Sequence, residues 1–310
     1  MNAPAAPLVS IVIPHWNAGK RTLVCLDQFQ KWDYPRDRLD ILVLDNGSTD
    51  GSSQPLAEQV DALRAQGLPI RYHRFDQHPG LTASLTQSLA LTQADSVYLL
   101  RLDNDVDMNA DALSVMVSLM QARPDIGVTG PRLVYASAPD RLNGGAVWLS
   151  PWGGRNRMED PDQPVECDTL LGATMLFRRS ALQEVGRWFD PGLYLFAEEP
   201  EVCWQLRRRG YATVFVPQAL GRHDTAQSTG KHSALSNYLN YRNHTLVYAR
   251  MYPGRVALLR NLHVFPRILA RCWRERTTIP FWGFMDGLLA RPLNDAWWQE
   301  MISAKAFRRP

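Results

Sequence analysis

The chain has 310 residues, of which 45% are hydrophobic and 21% are charged, and its formal net charge is +3. A chain of this length holds one large α/β domain with an extension, or two modest domains, and it can bury most of its apolar surface without cross-links. So small a net charge gives no reason to expect nucleic-acid binding. The cysteines are far apart and form no CxxC pair, which argues against a disulfide framework or a zinc site; they are Cys25, Cys167, Cys203 and Cys272.

The first hundred residues alternate strand-like and helix-like patterns, which is typical of a parallel α/β sheet. The predicted strands are short apolar runs at residues 9–13, 40–44, 70–75 and 96–100. Between them, apolar residues at three- and four-residue spacing predict helices near residues 20–31, 53–66 and 81–93.

The rest of the chain predicts more helix than strand. A helix is expected at 109–122, then loops with short strands over 131–168, a short helix at 198–210 and a last strand at 212–216. After Lys231 the pattern is mainly helical. The predicted division is therefore an α/β domain over residues 1–230 and a helical C-terminal extension over residues 231–310.

The C-terminal extension is basic and aromatic. From Arg255 to Pro310 the chain has nine Arg and one Lys against two Asp and two Glu. Two interpretations stay open: contact with a membrane surface or a polyanion, and a helical flap with core aromatic side chains and solvated arginines. We expect no signal peptide and no membrane span, because no apolar run approaches roughly 18–20 residues. The predicted location is the cytoplasm, with peripheral contact at the inner face of the plasma membrane as a hypothesis.

Two polar segments follow directly after predicted buried strands. Segment 45–52 (DNGSTDGS) begins with Asp45 at a strand end, where open parallel sheets bind ligands and where a carboxylate can accept from a base N–H. Segment 102–107 (LDNDVD) places Asp103 and Asp105 at positions i and i+2, so both carboxylates can converge on Mg²⁺ or Mn²⁺ bound to a diphosphate. Ordinary polar turns are the alternative interpretation of each segment.

A third segment, 196–204 (FAEEPEVCW), places three carboxylates at the start of a predicted helix, with Pro200 in its first turn. These carboxylates can simply complement the helix macrodipole. In the functional interpretation, one of them is a general base that deprotonates an acceptor hydroxyl.

Together these segments resemble the family 2 glycosyltransferases, which have the GT-A fold, a Rossmann-like, mainly parallel sheet flanked by helices. The resemblance runs from about residue 9 to residue 254 and includes the opening segment 9–17 (VSIVIPHWN), which is similar to the family's first strand and nucleotide-contacting loop. It implies donor contacts from the following residues: Pro14, Trp16, Asn17, Asp45, Asn46, Asp103 and Asn104.

The same resemblance implies the metal site, the base and the acceptor side. Asp103 and Asp105 match the metal-binding motif, and His223 is a further candidate ligand, although a structural histidine is the alternative. Glu199 stands at the family's catalytic base position. Segment 172–179 (GATMLFRR) resembles the segment that leads to the acceptor, and tryptophans can stack on sugars or serve as core indoles. The candidate acceptor-side residues are Trp148, Gly172, Ala173 and Glu198.

Three departures from the family pattern matter for the prediction. Glu199 replaces the usual Asp, which moves the carboxylate outward by one methylene. Segment 78–80 (HPG) and Gln87 stand where many members have an Asn-x-Gly and an Asn that help to hold the donor. Gln205 occupies a position where an arginine is common. The donor therefore cannot be carried over from the family, although segment 241–243 (YRN) is similar to rhamnosyltransferase-like members.

The predicted function is inverting, metal-dependent sugar transfer from a nucleotide-diphosphate donor, dTDP-rhamnose or a UDP-sugar, to a glycan or lipid-linked acceptor in surface polysaccharide synthesis. The replacement at Glu199 motivates an alternative, a catalytically inactive nucleotide-sugar-binding protein. A nucleotidyltransferase of the same fold is disfavoured, because the opening segment lacks the Gly-rich loop with Arg or Lys that cradles a triphosphate.

Overall fold

The computed structural model describes residues 5–151, 156–223, 234–252 and 254–293. Its strands are β1 (Val9–His15), β2 (Leu39–Asp45), β3 (Ile70–Arg74), β4 (Tyr98–Leu102), β5 (Val106–Met108), β6 (Ile126–Tyr135), β7 (Ala138–Gly144), β8 (Ala146–Trp148), β9 (Arg157–Glu159), β10 (Val165–Glu166), β11 (Thr174–Arg178) and β12 (Ala212–His223). Its α-helices are α1 (Arg21–Leu26), α2 (Ser53–Ala65), α3 (Leu81–Ser88), α4 (Ala112–Ala122), α5 (Arg179–Val185), α6 (Glu198–Arg207), α7 (Ala234–Met251), α8 (Arg255–Glu275) and α9 (Ile279–Leu288).

The main sheet has the strand order β10-β12-β6-β11-β4-β1-β2-β3. Strand β1 runs parallel to both β2 and β4, β2 runs parallel to β3, and β12 runs parallel to β6. Strand β11 is antiparallel to both of its neighbours, β4 and β6. The predicted α/β architecture, a mainly parallel sheet flanked by helices, is confirmed.

Successive side chains of a strand point to opposite faces of the sheet. In this sheet both faces are covered, so both sets of side chains are buried. Ile11 and Ile41 pack on one face with residues of α2 and α4, such as Met116. Val12 and Leu42 pack on the other face, in a second core that α3, α5 and α6 help to cover. Such strands read as continuous apolar runs, which is why β1, β2 and β4 are recognisable in the sequence.

The second half of the sheet is more extensive than the sequence predicts. Strand β6 runs from residue 126 into the segment 131–168 that was expected to hold loops with short strands, and the last strand continues to His223 instead of ending at 216. Pro131 lies at an irregularity, because the pairing of β12 with β6 shifts register between Val216 and Leu220. A proline cannot donate to a strand ladder and is tolerated at such a bulge. The helices predicted at 20–31 and 81–93 also end early, in short 3₁₀ turns.

The predicted helical extension is confirmed for the part of it that the structure describes. Helices α7 and α9 pack closely at Gly283. A Cβ atom at this position would lie 2.6 Å from the Tyr238 carbonyl oxygen and collide with it. The Tyr238 hydroxyl donates to Asp286 Oδ2 at 2.9 Å and links the same two helices. Within residues 5–293, apart from the gaps given above, no helix is long and apolar enough to cross a membrane.

Candidate active site

The polar segments of the sequence meet at the carboxyl edge of the parallel strands. In the register of β1 with β2, Pro14 lies beside Leu44, and His15 lies beside Asp45. Asp103 follows the end of β4, the other neighbour of β1, and its N–H donates to the Ala173 carbonyl at 2.8 Å. Ligands bind beyond this edge in open α/β sheets, so these residues lie where such a fold is expected to bind its ligand.

Asp45 is fully buried and already has hydrogen-bond partners on both carboxylate oxygens. Oδ1 accepts from the Ser48 N–H at 2.9 Å, and Oδ2 accepts from the hydroxyls of Ser53 and Tyr72, both at 2.6 Å. Burial acts to raise the pKa of Asp45, but the hydrogen bonds from Ser53, Tyr72 and Ser48 outweigh it, and the pKa is lowered. Asp45 is therefore an ionised carboxylate held in one orientation at the edge.

Asn17 connects the loop after β1 to the loop after β2 by two hydrogen bonds. Its N–H donates to Ser48 Oγ at 2.9 Å, and its Oδ1 accepts from the Thr49 N–H at 2.8 Å. Asn17 has a φ of 45°, a left-handed conformation that asparagine tolerates better than most residues. Next to it, Trp16 makes an edge-to-face contact with His78, with ring centroids 4.6 Å apart.

Asn46 offers an unused acceptor at the same edge. The residue is 2% exposed, and its Oδ1 has no hydrogen-bond partner among the described residues. A buried acceptor without a partner is costly unless a ligand satisfies it. Asn46 Oδ1 is therefore a candidate acceptor for an N–H of a bound nucleobase, and the same role for the carboxylate of Asp45 stays a prediction.

A chain of hydrogen bonds joins the acidic segment to the loop after β2. Asn104 Nδ2 donates to Thr22 Oγ1 at 2.8 Å, and Thr22 Oγ1 lies 2.7 Å from His15 Nδ1. On the other side of the ring, His15 Nε2 lies 2.8 Å from Ser52 Oγ, which hydrogen-bonds to Asp50. Burial lowers the pKa of His15 more than the charges of Asp45 and Asp50 raise it, so the ring is neutral. No sequence pattern predicts that His15 links these two segments.

Arg101 connects the acidic motif to the carboxylates of α6. Its Nε and NH2 atoms donate to the two oxygens of Asp103 at 3.1 and 3.3 Å, and NH1 donates to Glu198 Oε1 at 3.1 Å. The side chains of Arg101 and Glu198 are only 4% and 3% exposed. Burial raises the pKa of Asp103, although the charge of Arg101 opposes it. The role of Arg101 was not predicted. The one indication in the sequence is that a charged residue interrupts an apolar strand.

Glu199, the predicted base, is half-buried beside Glu198 in the first turn of α6. Burial, together with the negative charge of Glu198, raises the pKa of Glu199 to about 8, while the charge of Arg101 acts in the opposite direction. A carboxylate with such a pKa takes a proton far more readily than an ordinary glutamate. It therefore has the property that a general base needs near neutral pH.

The segment before β11 brings Glu199 and the acidic motif together. Glu199 lies directly over Gly172, and a Cβ at that position would collide with the Glu199 carboxylate. The next residue, Ala173, holds the main chain of Asp103 through its carbonyl. Gly172 and Ala173, both predicted on the acceptor side, thus contact the candidate base and the acidic motif directly.

Asp105 and His223 lie together at the ends of β5 and β12. His223 Nε2 is 3.3 Å from Asp105 Oδ1, and His223 Nδ1 is 2.8 Å from Asn143 Oδ1. The Asn143 contact orients the ring through Nδ1, and Nε2 is the ring nitrogen that faces the Asp105 carboxylate. A nitrogen and an oxygen donor that face each other, with the ring oriented by a further hydrogen bond, fit a divalent cation.

The pair is not a complete metal site on its own. Among the residues that the structure describes, no three His, Cys, Asp or Glu side chains form a group that could hold a metal. Asp103 is engaged by Arg101 rather than turned towards Asp105, and Arg21 NH1 lies 3.9 Å from Asp105 Oδ2. A cation here would need further ligands from a bound diphosphate. The role of Asp103 as a metal ligand stays a prediction.

The turn before α6 has a strained backbone that α7 holds in place. Tyr194, Phe196 and Ala197 all have φ between 63° and 72°, which is costly for residues other than glycine. Asn243 of α7 is fully buried beneath this turn. Its Nδ2 donates to three main-chain carbonyls at 2.6, 2.7 and 3.2 Å, those of Leu193, Leu195 and Phe196. The sequence singled out segment 241–243 only by resemblance, without this role.

Trp148, the last predicted acceptor-side residue, ends β8. It is half-buried, and the guanidinium carbon of Arg157 lies 4.7 Å from the centroid of its ring. The described residues show no contact between Trp148 and the carboxylates of α6. Residues 152–155, which follow β8, lie outside the described residues.

Comparison with known proteins agrees with this arrangement. The family model "Glycosyl transferase family 2" matches residues 10–186, more than half of the chain. An N-acetylglucosaminyl-diphospho-decaprenol L-rhamnosyltransferase of Mycobacterium tuberculosis is 27% identical over 218 residues, which are 63% of this chain and 70% of that protein.

Two solved structures share the fold. A mannosyltransferase from Pyrobaculum calidifontis in complex with GDP-Man and Mn²⁺ superposes with a TM-score of 0.58 at 17% identity, over 96% of this chain and 79% of that one. GalNAc-T7 with UDP, GalNAc and Mn²⁺ superposes with a TM-score of 0.66 at 14% identity, over 96% of this chain and 58% of that one. The predicted GT-A fold is confirmed.

Proposed function

Because this chain belongs to glycosyltransferase family 2, we propose that it transfers a sugar from a nucleotide-diphosphate donor to a glycan or lipid-linked acceptor during surface polysaccharide synthesis. The observation that carries the proposal is Glu199, a carboxylate with a raised pKa that lies over Gly172, next to the acidic motif. The rhamnosyltransferase relative supports dTDP-rhamnose as the donor, and the solved structures with GDP-Man and UDP support a nucleotide diphosphate more generally. A UDP-sugar is the other candidate donor.

In the proposed reaction, Glu199 accepts the proton of the acceptor hydroxyl while that oxygen attacks the anomeric carbon. The bond from the anomeric carbon to the diphosphate oxygen breaks, and the electron pair leaves with the nucleotide diphosphate. Attack from the face opposite the leaving group inverts the anomeric configuration. Glu198 and Asp103 both accept hydrogen bonds from Arg101. The negative charge of Glu198 keeps the proton affinity of Glu199 high.

The donor is held by the edge of β1 and β2. Asn46 Oδ1 is the buried acceptor that a base N–H can satisfy, while Asp45, through Ser48 and Ser53, fixes the loop that carries it. Trp16 and Asn17 form the side of this crevice next to β1. The nucleobase is recognised here through N–H groups that donate to the amide oxygen of Asn46 or the carboxylate of Asp45. Any base with an N–H donor in reach can make such hydrogen bonds.

Asp105 and His223 would hold Mg²⁺ or Mn²⁺, and both solved structures named above contain Mn²⁺. The cation, when bound, neutralises charge on the diphosphate of the donor. Its protein ligands would be the Asp105 carboxylate and the His223 imidazole, with Asp103 as the further ligand that the family resemblance implies. A nitrogen ligand suits Mn²⁺ better than Mg²⁺ because Mg²⁺ prefers oxygen. Arg21, near Asp105, adds a positive charge on the same side.

A location at the inner face of the plasma membrane, with peripheral contact, follows if the acceptor is lipid-linked. The M. tuberculosis relative is named for such an acceptor. Within this proposal the partners are the donor and the acceptor, and nucleic acid is not among them.

A nucleotide-sugar screen by thermal shift, with and without Mn²⁺, tests the proposal on the wild type and on Asp105→Ala. We expect one donor to raise the melting temperature only with Mn²⁺ and only in the wild type. Asp107→Ala is the matched control, because Asp107 is an exposed carboxylate two residues away. The stabilising donor is then offered acceptors and scored for transfer. Metal-dependent binding without transfer or hydrolysis would support the nucleotide-sugar-binding alternative, and no binding would contradict both.

A further inference from the structure

Helix α8 presents a continuous apolar face to solvent. Five large apolar side chains on it are between 45% and 86% exposed; they are Leu258, Leu259, Leu262, Leu269 and Trp273. Leu258, Leu262, Leu269 and Trp273 are four or seven residues apart, and Leu259 is three residues before Leu262, so all five lie on one side of the helix, over about four turns. Single exposed leucines are ordinary on protein surfaces, but an aligned row of this length marks an interaction surface.

The opposite side of α8 packs against α9, where the ring centroids of Phe265 and Phe284 are 5.8 Å apart, and it contacts α7 through side chains. Ile268 is 2% exposed, the guanidinium of Arg260 lies 4.3 Å from the ring centroid of Tyr248, and Arg271 NH1 donates to the Tyr241 hydroxyl at 2.9 Å. The helix is therefore fixed to the protein by one face. This packing fixes the orientation of α8, so its apolar row faces outward.

Arginines border the apolar row. Arg267 and Arg274 are exposed beside it, and they also line a groove between α7 and α8 whose floor includes Val264 and Ile268. Arg255 begins the helix and Arg276 follows its end, and both are exposed. An apolar row with a basic border matches a surface that is anionic outside and apolar a few ångströms below, which is the interface of an acidic phospholipid bilayer.

The same charges disfavour the other possible occupants. A second copy of the chain, docked through this face by a twofold axis, would bring the arginine border against its own copy. Segment 294–310 carries one Lys and two Arg against one Asp and one Glu, so its charge does not complement the border either.

We propose that α8 lies in the headgroup region of an anionic membrane, with Leu262 and Trp273 in the apolar layer and Arg267 and Arg274 at the lipid phosphates. Tryptophan is a side chain that favours this interface, and Trp273 is the most exposed residue of the row. Helix α7, which α8 contacts through side chains, also carries Asn243, the residue that holds the turn before Glu198. The membrane surface is thus one helix away from the candidate base. This partner adds to the proposed function but does not depend on sugar transfer.

Co-sedimentation of the full chain with vesicles tests the proposal. We expect binding to vesicles of phosphatidylcholine and phosphatidylglycerol, weak binding to phosphatidylcholine alone, and a loss of binding at high salt. Leu262→Glu/Trp273→Glu and Arg267→Glu/Arg274→Glu should each weaken binding by about tenfold or more. Val97→Glu/Met158→Glu is the matched control, because both positions are exposed and apolar but far from α8 in the sequence, at 42% and 46% exposure. All changed side chains are exposed, so far-UV circular dichroism should be unaltered.

Three results would overturn the proposal. The first is vesicle binding that the α8 double variants leave unchanged. The second is a stable wild-type dimer by light scattering that Leu262→Glu/Trp273→Glu converts to a monomer without any vesicle binding. The third is binding that occurs only after deletion of residues 294–310, since that segment would then cover the row. Glu199→Gln, which removes only the proposed base, should bind vesicles like the wild type, so failure of the catalytic proposal is distinguishable.

Discussion

Arg101 is the residue on which the charge balance of the site depends. It is the described side chain that bonds to both Asp103 and Glu198, and both it and Glu198 are almost completely buried. Carboxylates at such depth are tolerated only with a paired cation. Glu198 and Glu199 lie close together, and this raises the pKa of Glu199. Their close approach is possible because Arg101 offsets part of the negative charge.

Replacement of Arg101 by methionine should destabilise the fold by roughly 3–5 kcal/mol, because it leaves buried carboxylates without a partner. Urea unfolding measures the change. Arg123→Met is the control, since Arg123 pairs with Asp125 and Glu166 at the surface and should cost about 1 kcal/mol or less. Equal losses in the two variants would contradict the importance assigned to Arg101.

The pH dependence of the reaction should report the raised pKa of Glu199. A general base acts in its ionised form, so kcat/KM for the free enzyme should fall as the pH is lowered through about 8. The stability effect has the opposite sign. Because the folded-state pKa lies above that of an unfolded glutamate, the contribution of Glu199 to stability is present at low pH and is lost as the pH rises towards 8.

Glu199→Gln should accordingly gain stability relative to the wild type at pH 8 and above, and Glu184→Gln, at an exposed position on α5, should not. Melting temperatures of the three proteins between pH 6 and 9 provide the measurement. A flat kcat/KM profile over that interval, or a stability difference independent of pH, would contradict a titrating Glu199.

At the scale of elements, the turn between the 3₁₀ helix at residues 191–193 and α6 is the point where the C-terminal helices contact the α/β part of the chain. Its carbonyls are bound by Asn243, while Arg242 NH1 donates to the Gly192 carbonyl at 3.1 Å and NH2 donates to the Arg291 carbonyl at 2.6 Å. The strained residues before Glu198 persist because the surrounding helices determine their conformation. We therefore expect helix α7 to position the proposed base, Glu199.

Asn243→Ala should lower kcat by about tenfold or more while KM for the donor changes little, because a base displaced by about 1 Å loses much of its rate. Asn243→Asp keeps the size but cannot donate to carbonyls, so it should fail to rescue kcat. Asn240→Ala, at an exposed position one turn earlier on α7, is the control. If Asn243→Ala and Asn243→Asp lose stability but retain full kcat, the role of Asn243 is structural only.

Strand prediction from the sequence succeeded where a strand is buried on both faces and failed where turn-forming residues enter a strand. Strands β1, β2 and β4 have continuous apolar sequences. Strand β6 contains Gly130 and Pro131, and its place in the sheet is set by pairing with β12 and β11, which are far away in the chain. No local pattern encodes such pairings, so the sequence predicts only loops with short strands from residue 131 onwards.

For the whole molecule, the position of the site was predictable because parallel strands share a carboxyl edge. Asp45 and Asp103 follow neighbours of β1, so their placement at one edge follows from the strand pattern alone. The contacts that tune the site were not predictable. Arg101 meets Glu198 across 97 residues of chain, and His223 reaches Asp105 because β12 is longer than its apolar run. Those contacts depend on the order of strands in the second half of the sheet.

The measurement that tests the central claim most directly is transfer by the wild type and by Glu199→Gln, with the donor that the binding screen identifies. The account predicts that Glu199→Gln binds this donor with unchanged affinity and loses about 10²-fold or more in kcat, the usual contribution of a general base. It also predicts that the wild-type product has the inverted anomeric configuration by NMR. Near-normal turnover in Glu199→Gln, at unchanged donor affinity, would contradict the assignment of Glu199 as the base.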